Sequence, residues 1–308
     1  MNSTPRAVAI MGATATGKSD LAVTLAEEFG GEIVSMDSRQ LYRGFDIGTG
    51  KMSLAYRHRV PHHLVDILDP KETASAGAHL ARADEASAQI SARGKTAFFV
   101  GGTGLYFRVL FRGIIVASAS GGAQQKIREE LSSKSTAELY DRLRSIDPER
   151  AAALSPGDRV RIIRAIEVHA LTGRPHSELI SSRSGSREWR GLKIVLTLPR
   201  EILRRRIAER TREMFEAGWP DEVRSLLACG VGMDAPAMGS LGYAAIARAI
   251  LQGKDPQTTL PEVVTLTQQY AKRQETFFRS ETDARWIDMS RPSAAAEARG
   301  LVAGFLGL

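Results

Sequence analysis

Residues Gly12, Ala13, Thr14, Ala15, Thr16, Gly17, Lys18 and Ser19 follow the spacing G-x-x-x-x-G-K-[ST]. They lie between an apolar run, Ala7 to Met11, and a stretch of helical periodicity, Leu21 to Phe29. In that setting the pattern describes a phosphate cradle. Glycines let a tight loop turn its backbone N–H groups inward, and the helix that follows adds the positive end of its dipole. Lys18 brings a mobile cation and Ser19 a hydroxyl suited to Mg²⁺. The plainer alternative is a Gly/Thr-rich turn that caps a helix, but it does not require the strand, the helix and every fixed position together. The usual occupant of such a loop is a nucleoside triphosphate, yet phosphate binding alone names no reaction.

A second group must supply the chemistry. An ATPase or GTPase normally carries a magnesium-binding Asp at the end of a second apolar strand. Thr96 to Val100 reads as such a strand, but it runs into Gly101-Gly102-Thr103-Gly104 with no carboxylate. The acid follows a different apolar run, Glu32 to Met36, as Asp37-Ser38. In a parallel α/β sheet, groups just past the carboxyl ends of neighbouring strands converge on one crevice. The phosphate loop, Asp37 and Thr103 are therefore expected to share a site, which puts a base beside a bound polyphosphate. Asp37 could instead cap a short helix starting near Ser38, and Thr103 could close an ST-turn within its glycine loop.

The elements that would hold these groups can be traced along the chain. Ala7 to Met11, Glu32 to Met36, Thr96 to Val100, Leu192 to Leu198 and Arg285 to Ile287 read as strands. They alternate with helical stretches such as Ala76 to Arg93, which predicts a three-layer α/β core around a parallel sheet. Between 118 and 191 the pattern changes to helix-period segments, Gln124 to Ser132, Thr136 to Ile146 and Asp158 to Leu171. This predicts an inserted helical domain, with the core formed by 1–117 and 192–308. The edges, Ala117 to Gly122 and Ser181 to Ser186, are rich in small and polar residues and read as hinges. With 308 residues, 43% of them hydrophobic, the chain can bury such a core.

Charge points to an acidic partner. The net charge is +7, and arginines concentrate in the insertion. Arg159, Arg161 and Arg164 share a candidate helix with Val160, Ile162, Ile163 and Ile166. The apolar residues would face a core and the cations could face phosphate, or the cations could form a solvated face. Lys272-Arg273-Gln274 precedes Phe277, Phe278 and Arg279, where helical spacing places the two aromatics in a core. The single Cys229 excludes an intramolecular disulfide and reads as a small buried hydrophobe. His62 and His63 are adjacent and point in different directions, and Pro61 breaks any helix that would align His58 with His62, so no zinc site is assigned. No signal-like run opens the chain and no apolar stretch approaches the ~20 residues that span a membrane. A cytoplasmic protein is expected.

Several segments together carry a resemblance. They are Gly12 to Ser19, Asp37-Ser38-Arg39-Gln40-Leu41-Tyr42, Asp46-Ile47-Gly48-Thr49, Pro61-His62-His63-Leu64 with Asp66 and Asp69-Pro70, and Gly101 to Tyr106. Arg206 to Arg210, Gly242-Tyr243 and Tyr270 to Gln274 continue it. In order and spacing the chain resembles the tRNA dimethylallyltransferase family over nearly its whole length.

The resemblance implies transfer of a dimethylallyl group from dimethylallyl diphosphate to the exocyclic N6 of the adenine immediately 3′ of the anticodon, tRNA position 37. It makes Asp37 the base, Arg210 a cation on the departing diphosphate, and Thr103 a contact to the adenine or the diphosphate. The loop Gly12 to Ser19 would hold the diphosphate, with Mg²⁺ as cofactor near Ser19. Contacts to the anticodon stem-loop would come from Asp37, Ser38, Arg39, Gln40, Thr103, Gln124, Val160, Arg161, Ile162, Ile163, Arg164, Gly242, Tyr243, Lys272, Arg273 and Gln274. A monomer without membrane contact is expected. Read without the family, Arg210 is one solvated helix arginine among several.

Four positions depart from the family pattern. Ala13 replaces a proline of the loop, Gln124 and Ala244 stand where basic residues are usual, and Ala74 stands where an aromatic is expected. Two other activities use related parts. An adenylate isopentenyltransferase would act on free nucleotide, against which the long arginine-bearing insertion argues. A phosphate-loop nucleotide kinase would need the missing second-strand Asp.

Overall fold

A computed structural model describes residues 6–112, 122–181 and 190–308. The described chain clusters into two compact units, one of residues 1–109 with 188–308, the other of residues 110–187.

The first unit is built on a six-stranded, wholly parallel sheet. Its elements are β1 (Arg6–Gly12), α1 (Lys18–Glu28), β2 (Gly31–Ser35), α2 (Leu54–Arg59), β3 (His62–His63), α3 (Ala76–Ala92), β4 (Thr96–Gly101) and α4 (Gly104–Arg112), the last running into the second unit. The strand order is β3-β2-β4-β1 and continues through β5 (Arg190–Thr197) and β6 (Arg285–Asp288). The crossover from β1 to β2 passes β4 in one direction, and that from β3 to β4 passes β2 in the other. Right-handed crossovers then place α1 and α3 on opposite faces. The burial agrees with cover on both sides. Val8 and Ile10 join a core with α1, while the intervening Ala7, Ala9 and Met11 are as fully buried. That is why β1 reads as an unbroken apolar run.

The second unit contains α5 (Ala123–Ser132), α6 (Thr136–Ile146), α7 (Pro148–Ala152), α8 (Arg159–Thr172) and α9 (His176–Ser181). Leu131, Leu139, Leu143, Ile162 and Ile166 form its core. Ser135 and Glu138 make a capping box that starts α6. The expected hinges fall mostly on 113–121 and 182–189, outside the described residues.

The first unit is completed by α10 (Arg200–Glu216), α11 (Trp219–Ala228), α12 (Tyr243–Leu251), α13 (Leu260–Phe278) and α14 (Ala294–Leu306). Helix α14 joins α1 under one sheet face, and α13 packs on β1.

Two expectations are corrected, and one strand was not anticipated. Cys229 is exposed, because it is the residue that ends α11 and faces out of the helix-capping turn. Val160 is 80% exposed, because at the first turn of α8 it points away from the stripe that Ile162 and Ile166 present to the core. Strand β3 has no signal in the sequence, since two residues carry no periodicity. Ile33 N donates to Pro61 O at 2.9 Å at this edge, and His63, opposite Val34 in register, reaches Glu32 on β2.

Glu32 ties this sheet edge together. Its carboxylate accepts from His63 Nε2 at 2.7 Å and Arg93 Nη2 at 2.6 Å, and Lys95 Nζ lies 3.1 Å away. Burial alone would push the Glu32 carboxyl up, but hydrogen bonds from Arg93, His63 and Lys95 outweigh it and hold it at about 2, below the ordinary 4.5. A carboxyl that is more acidic folded than unfolded contributes its stability in full above about pH 4.5 and loses it as the pH falls toward 2. In urea unfolding, Glu32→Gln is expected to lose about 2 kcal/mol at pH 7, with the difference from the parent shrinking between pH 4.5 and pH 2. A loss of the same size at both ends of that range would contradict the ionic role.

Candidate active site

The loop after β1 is shaped by backbone conformations that few residues adopt. Gly17 has φ +87 and Ala15 has φ +63, an unusual value for a residue with a Cβ. Thr16 Oγ1 donates to Ala13 O at 2.9 Å, and Lys18 Nζ donates to the same carbonyl at 2.5 Å. Ala13 is buried among Leu198, Leu203, Ile207 and Ala271, so β5, α10 and α13 seat the loop from beneath.

Gln274 locks the loop from the side. Its Oε1 accepts from Thr14 N at 2.9 Å and its Nε2 donates to Gly102 O at 2.9 Å, joining the loop after β1 to the loop after β4. Gly102 leaves the room for this, since a Cβ there would fall 2.2 Å from Gln274 Nε2. The loops after β2 and β4 are joined in turn. Met36 N donates to Val100 O at 2.7 Å, Thr103 N to Met36 O at 3.2 Å, and Ser38 N to Thr103 Oγ1 at 3.0 Å. Three strand ends are thus one hydrogen-bonded assembly.

Above them lies a cavity of about 350 Å³. Of the residues expected to act there, Thr14, Ala15, Lys18, Ser19, Asp37, Ser38, Arg39, Gln40, Arg210, Arg273 and Gln274 line it. Asp37 heads no helix. Its Oδ1 accepts from Arg39 N at 2.8 Å in a tight turn, and the next helix starts only at Leu54. Arg210 reaches the loop from α10, its Nη1 donating to Thr14 Oγ1 at 3.3 Å. Burial pushes the Arg210 guanidinium down from its ordinary value, against the pull of Asp20, Asp37 and Glu213. Lys18 is pushed down to about 7 by burial first and by Arg210 second, with Asp37 opposing.

Other expected residues lie elsewhere. Thr103 stands behind Ser38, outside the cavity lining, where Tyr270 also bonds it, and burial pushes the Tyr270 hydroxyl up to about 12. Tyr243 is fully buried, its ring against Phe45 and Trp219 and its hydroxyl donating to Glu222 Oε1 at 2.5 Å, so its side chain cannot meet RNA as the sequence suggested. Gly242 is packed under Trp219, where a Cβ would fall 2.4 Å from the ring. Lys272 is exposed on α13.

In the second unit, Ile162 is fully buried and Ile163 partly buried against the same core, which removes Ile162 from any RNA surface. Arg164 is committed to the buried Glu167 at 2.7 Å, whereas Arg161 is mostly exposed and, among the described residues, pairs only with its helix neighbour Asp158 at 3.1 Å. The side chain of Gln124 is outside the described residues.

The sequence reading missed Met214 and Trp219, which also line the cavity. Met214 was within reach of it: Ile207, Arg210, Thr211 and Met214 recur at three- and four-residue spacing along one face of α10.

The family model described as IPP transferase matches residues 40–281. The chain belongs to the IPP transferase family. A second model, Isopentenyl transferase, matches residues 5–57, the phosphate loop and the Asp37 strand end. A tRNA dimethylallyltransferase from Geobacter metallireducens is 46% identical over 92% of both chains. A tRNA dimethylallyltransferase 1 from Citrifermentans bemidjiense is 46% identical over 98% of this chain and 97% of its own. Among solved structures, a tRNA isopentenylpyrophosphate transferase from Bacillus halodurans superposes with a TM-score of 0.73 at 33% identity, covering 99% of this chain and 97% of that one. A eukaryotic dimethylallyltransferase described as acting on tRNA gives 0.85 at 25% identity, covering 98% of this chain and 79% of that one.

The Gln274 lock in this IPP transferase can be tested directly. Gln274→Leu keeps the bulk but leaves Thr14 N and Gly102 O without a partner, so a stability loss of about 2 kcal/mol is expected, together with weaker pyrophosphate binding by calorimetry. Unchanged pyrophosphate affinity would show that the loop holds its shape without Gln274.

Proposed function

We propose that the chain transfers a dimethylallyl group from dimethylallyl diphosphate to N6 of the adenine 3′ of the anticodon in tRNA, releasing diphosphate. The supporting observation is that Asp37 lines the same cavity as the phosphate loop and Arg210, while β4, the strand beside β1, ends in glycines. A nucleotide hydrolase or kinase places its carboxylate to hold a metal near the loop. Here the carboxylate sits two strands away, where an acceptor's proton can reach it. The names carried by the relatives agree with this reaction.

The chemistry follows from the residues. Adenine N6 is a poor nucleophile because its lone pair is delocalised into the ring. As the bond from N6 to C1 of the donor forms and the C1–O bond breaks, Asp37 accepts the N6 proton. Negative charge gathers on the leaving diphosphate, and the loop N–H groups, Lys18 and Arg210 are placed to stabilise it. Thr103 acts from behind, fixing the Asp37–Ser38 turn. Among the described residues no group of three or more His, Cys, Asp or Glu could hold a metal. One hydroxyl plus diphosphate oxygens is a donor set that Mg²⁺ accepts while keeping waters. Ser19 would hold such an ion, which when bound neutralises diphosphate charge.

Recognition of tRNA is assigned to exposed cations, Arg161 on α8 and Lys272 and Arg273 on α13, with Arg39 and Gln40 at the cavity. Among the described residues no helix is long and apolar enough to cross a membrane.

The experiment that tests the reading is incubation with labelled dimethylallyl diphosphate and either unmodified tRNA or free adenine nucleotides. Label on one tRNA adenine is expected; label on AMP, ADP or ATP would favour the adenylate reaction. In the same assay Asp37→Asn, which keeps the shape and loses the basicity, is expected to lower single-turnover rate by ~10² to 10⁴ with tRNA affinity little changed. A near-parental rate would remove Asp37 as the base.

Phosphate contacts make binding salt-dependent through counterion release. Arg161→Ala is expected to weaken tRNA binding and reduce the slope of log K against log salt by roughly 0.7 to 0.9, leaving pyrophosphate binding unchanged. Arg164 is a poor probe, since its guanidinium pairs with the buried Glu167 at 2.7 Å and removing it would disturb the core of the unit as well as any RNA contact. Equal slopes for parent and Arg161→Ala would show that this arginine is a solvated helix residue.

A further inference from the structure

Glu222 on α11 is not among the residues the sequence reading assigned to chemistry, yet its carboxylate collects three donors from two distant segments. Oε2 accepts from the backbone N–H of Asp46 at 3.0 Å and of Ile47 at 2.7 Å. Oε1 accepts from the hydroxyl of the buried Tyr243 at 2.5 Å. A carboxylate satisfied in this way fixes the backbone it holds, because each bond is charge-assisted.

The segment so held is the loop Asp46 to Gly50. It closes on itself through Gly50 N to Ile47 O at 2.9 Å. Gln40 Nε2 lies 3.3 Å from both Thr49 O and Gly50 O, and Lys51, nearly fully buried, bonds Tyr42 O and Asp46 Oδ1. Gly48 lies against the indole of Trp219, with room for no Cβ. The loop is therefore braced on several sides.

Its tip meets Arg210. Gly50 has φ +62, and a Cβ there would fall 2.0 Å from Arg210 Nη2. The guanidinium is enclosed between this backbone wall and Thr14 Oγ1 of the phosphate loop. A long side chain carries several rotatable bonds, and without a wall it would sample many positions.

We propose that Glu222 is a positioning residue for the transfer: through the loop Asp46 to Gly50 it holds the Arg210 guanidinium against the phosphate loop. Tyr243 serves as a partner of that carboxylate, which gives the buried Gly242-Tyr243 motif a role other than RNA contact. The inference rests on Arg210 acting on the diphosphate, as set out under the proposed function.

A double-mutant cycle tests it, read by calorimetric binding of inorganic pyrophosphate and by single-turnover transfer to tRNA. Glu222→Gln puts an amide where one oxygen accepts. It is expected to weaken pyrophosphate binding and slow transfer at least tenfold with tRNA affinity within twofold of the parent. In an Arg210→Ala background the same substitution is expected to change either quantity less than twofold. A merely structural Glu222 would give the same loss with or without Arg210, and that result, or a parental Glu222→Gln, would overturn the proposal. Gly50→Ala attacks the wall itself and is expected to show the same dependence on Arg210; if Glu222→Gln does not fold, this second cycle decides. Failure of the parent to transfer, with the pyrophosphate cycle still dependent on Arg210, would overturn the transferase reading and leave the positioning role standing.

Discussion

Lys18 and Arg210 face one cavity, and burial together with their mutual repulsion disfavours the charge on Lys18, which falls to about 7. Burying one cation beside another is costly, and a polyanion between them relieves the cost. The surrounding structure can be understood as what keeps them there. Ala13 and its apolar seat fix the loop that carries Lys18, Gln274 joins that loop to the end of β4, and Gly50 confines Arg210. A site that repels its own charges favours the state in which most negative charge has accumulated, which for prenyl transfer is the departing diphosphate.

The parallel sheet explains why the Asp37 carboxylate lies where it does. With strand order β3-β2-β4-β1-β5-β6, the loop after β4 is the immediate neighbour of the phosphate loop and the loop after β2 is one strand further. Glycines at 101 and 102 let the neighbouring loop close down as pure backbone; a Cβ at Gly101 would fall 2.2 Å from Met36 O. The Asp37 carboxylate is thereby set one strand further from the phosphate loop, which in the proposed reaction leaves it nearer the acceptor than the diphosphate. Under the proposed function, parts that in a nucleotide hydrolase split a phosphate bond would instead serve a leaving diphosphate.

Much of this was legible in the sequence because the signals were local. The phosphate loop follows a fixed spacing between a strand and a helix, and the place of Asp37 at the end of an apolar run predicts the cavity it shares with that loop. The reach of Arg210 to Thr14, 196 residues away, is a tertiary fact, and without the family resemblance Arg210 could not be told from its arginine neighbours on α10. Tyr243 misled for a related reason: its hydroxyl bonds a carboxylate in the interior, and no local pattern distinguishes that from a surface contact. Trp219 and Glu222 carried no motif at all. Their contacts depend on the return of α11 to the loop Asp46 to Gly50. In the second unit, the sequence placed cations on α8 but could not show that Arg164 is spent on the buried Glu167 while Arg161 remains exposed.

The convergence of three strand ends on one reaction is tested most directly by a crystal structure of the protein with a non-hydrolysable thiolo analogue of dimethylallyl diphosphate and an anticodon stem-loop. The quantity to measure is the separation of the target adenine N6 from the Asp37 carboxylate. The expected result is a diphosphate seated on Gly12 to Ser19 beneath Lys18 and Arg210, with N6 within hydrogen-bond distance of Asp37 and facing C1 of the donor. A diphosphate bound away from that loop, or an N6 whose nearest proton acceptor is a group other than Asp37, would contradict it.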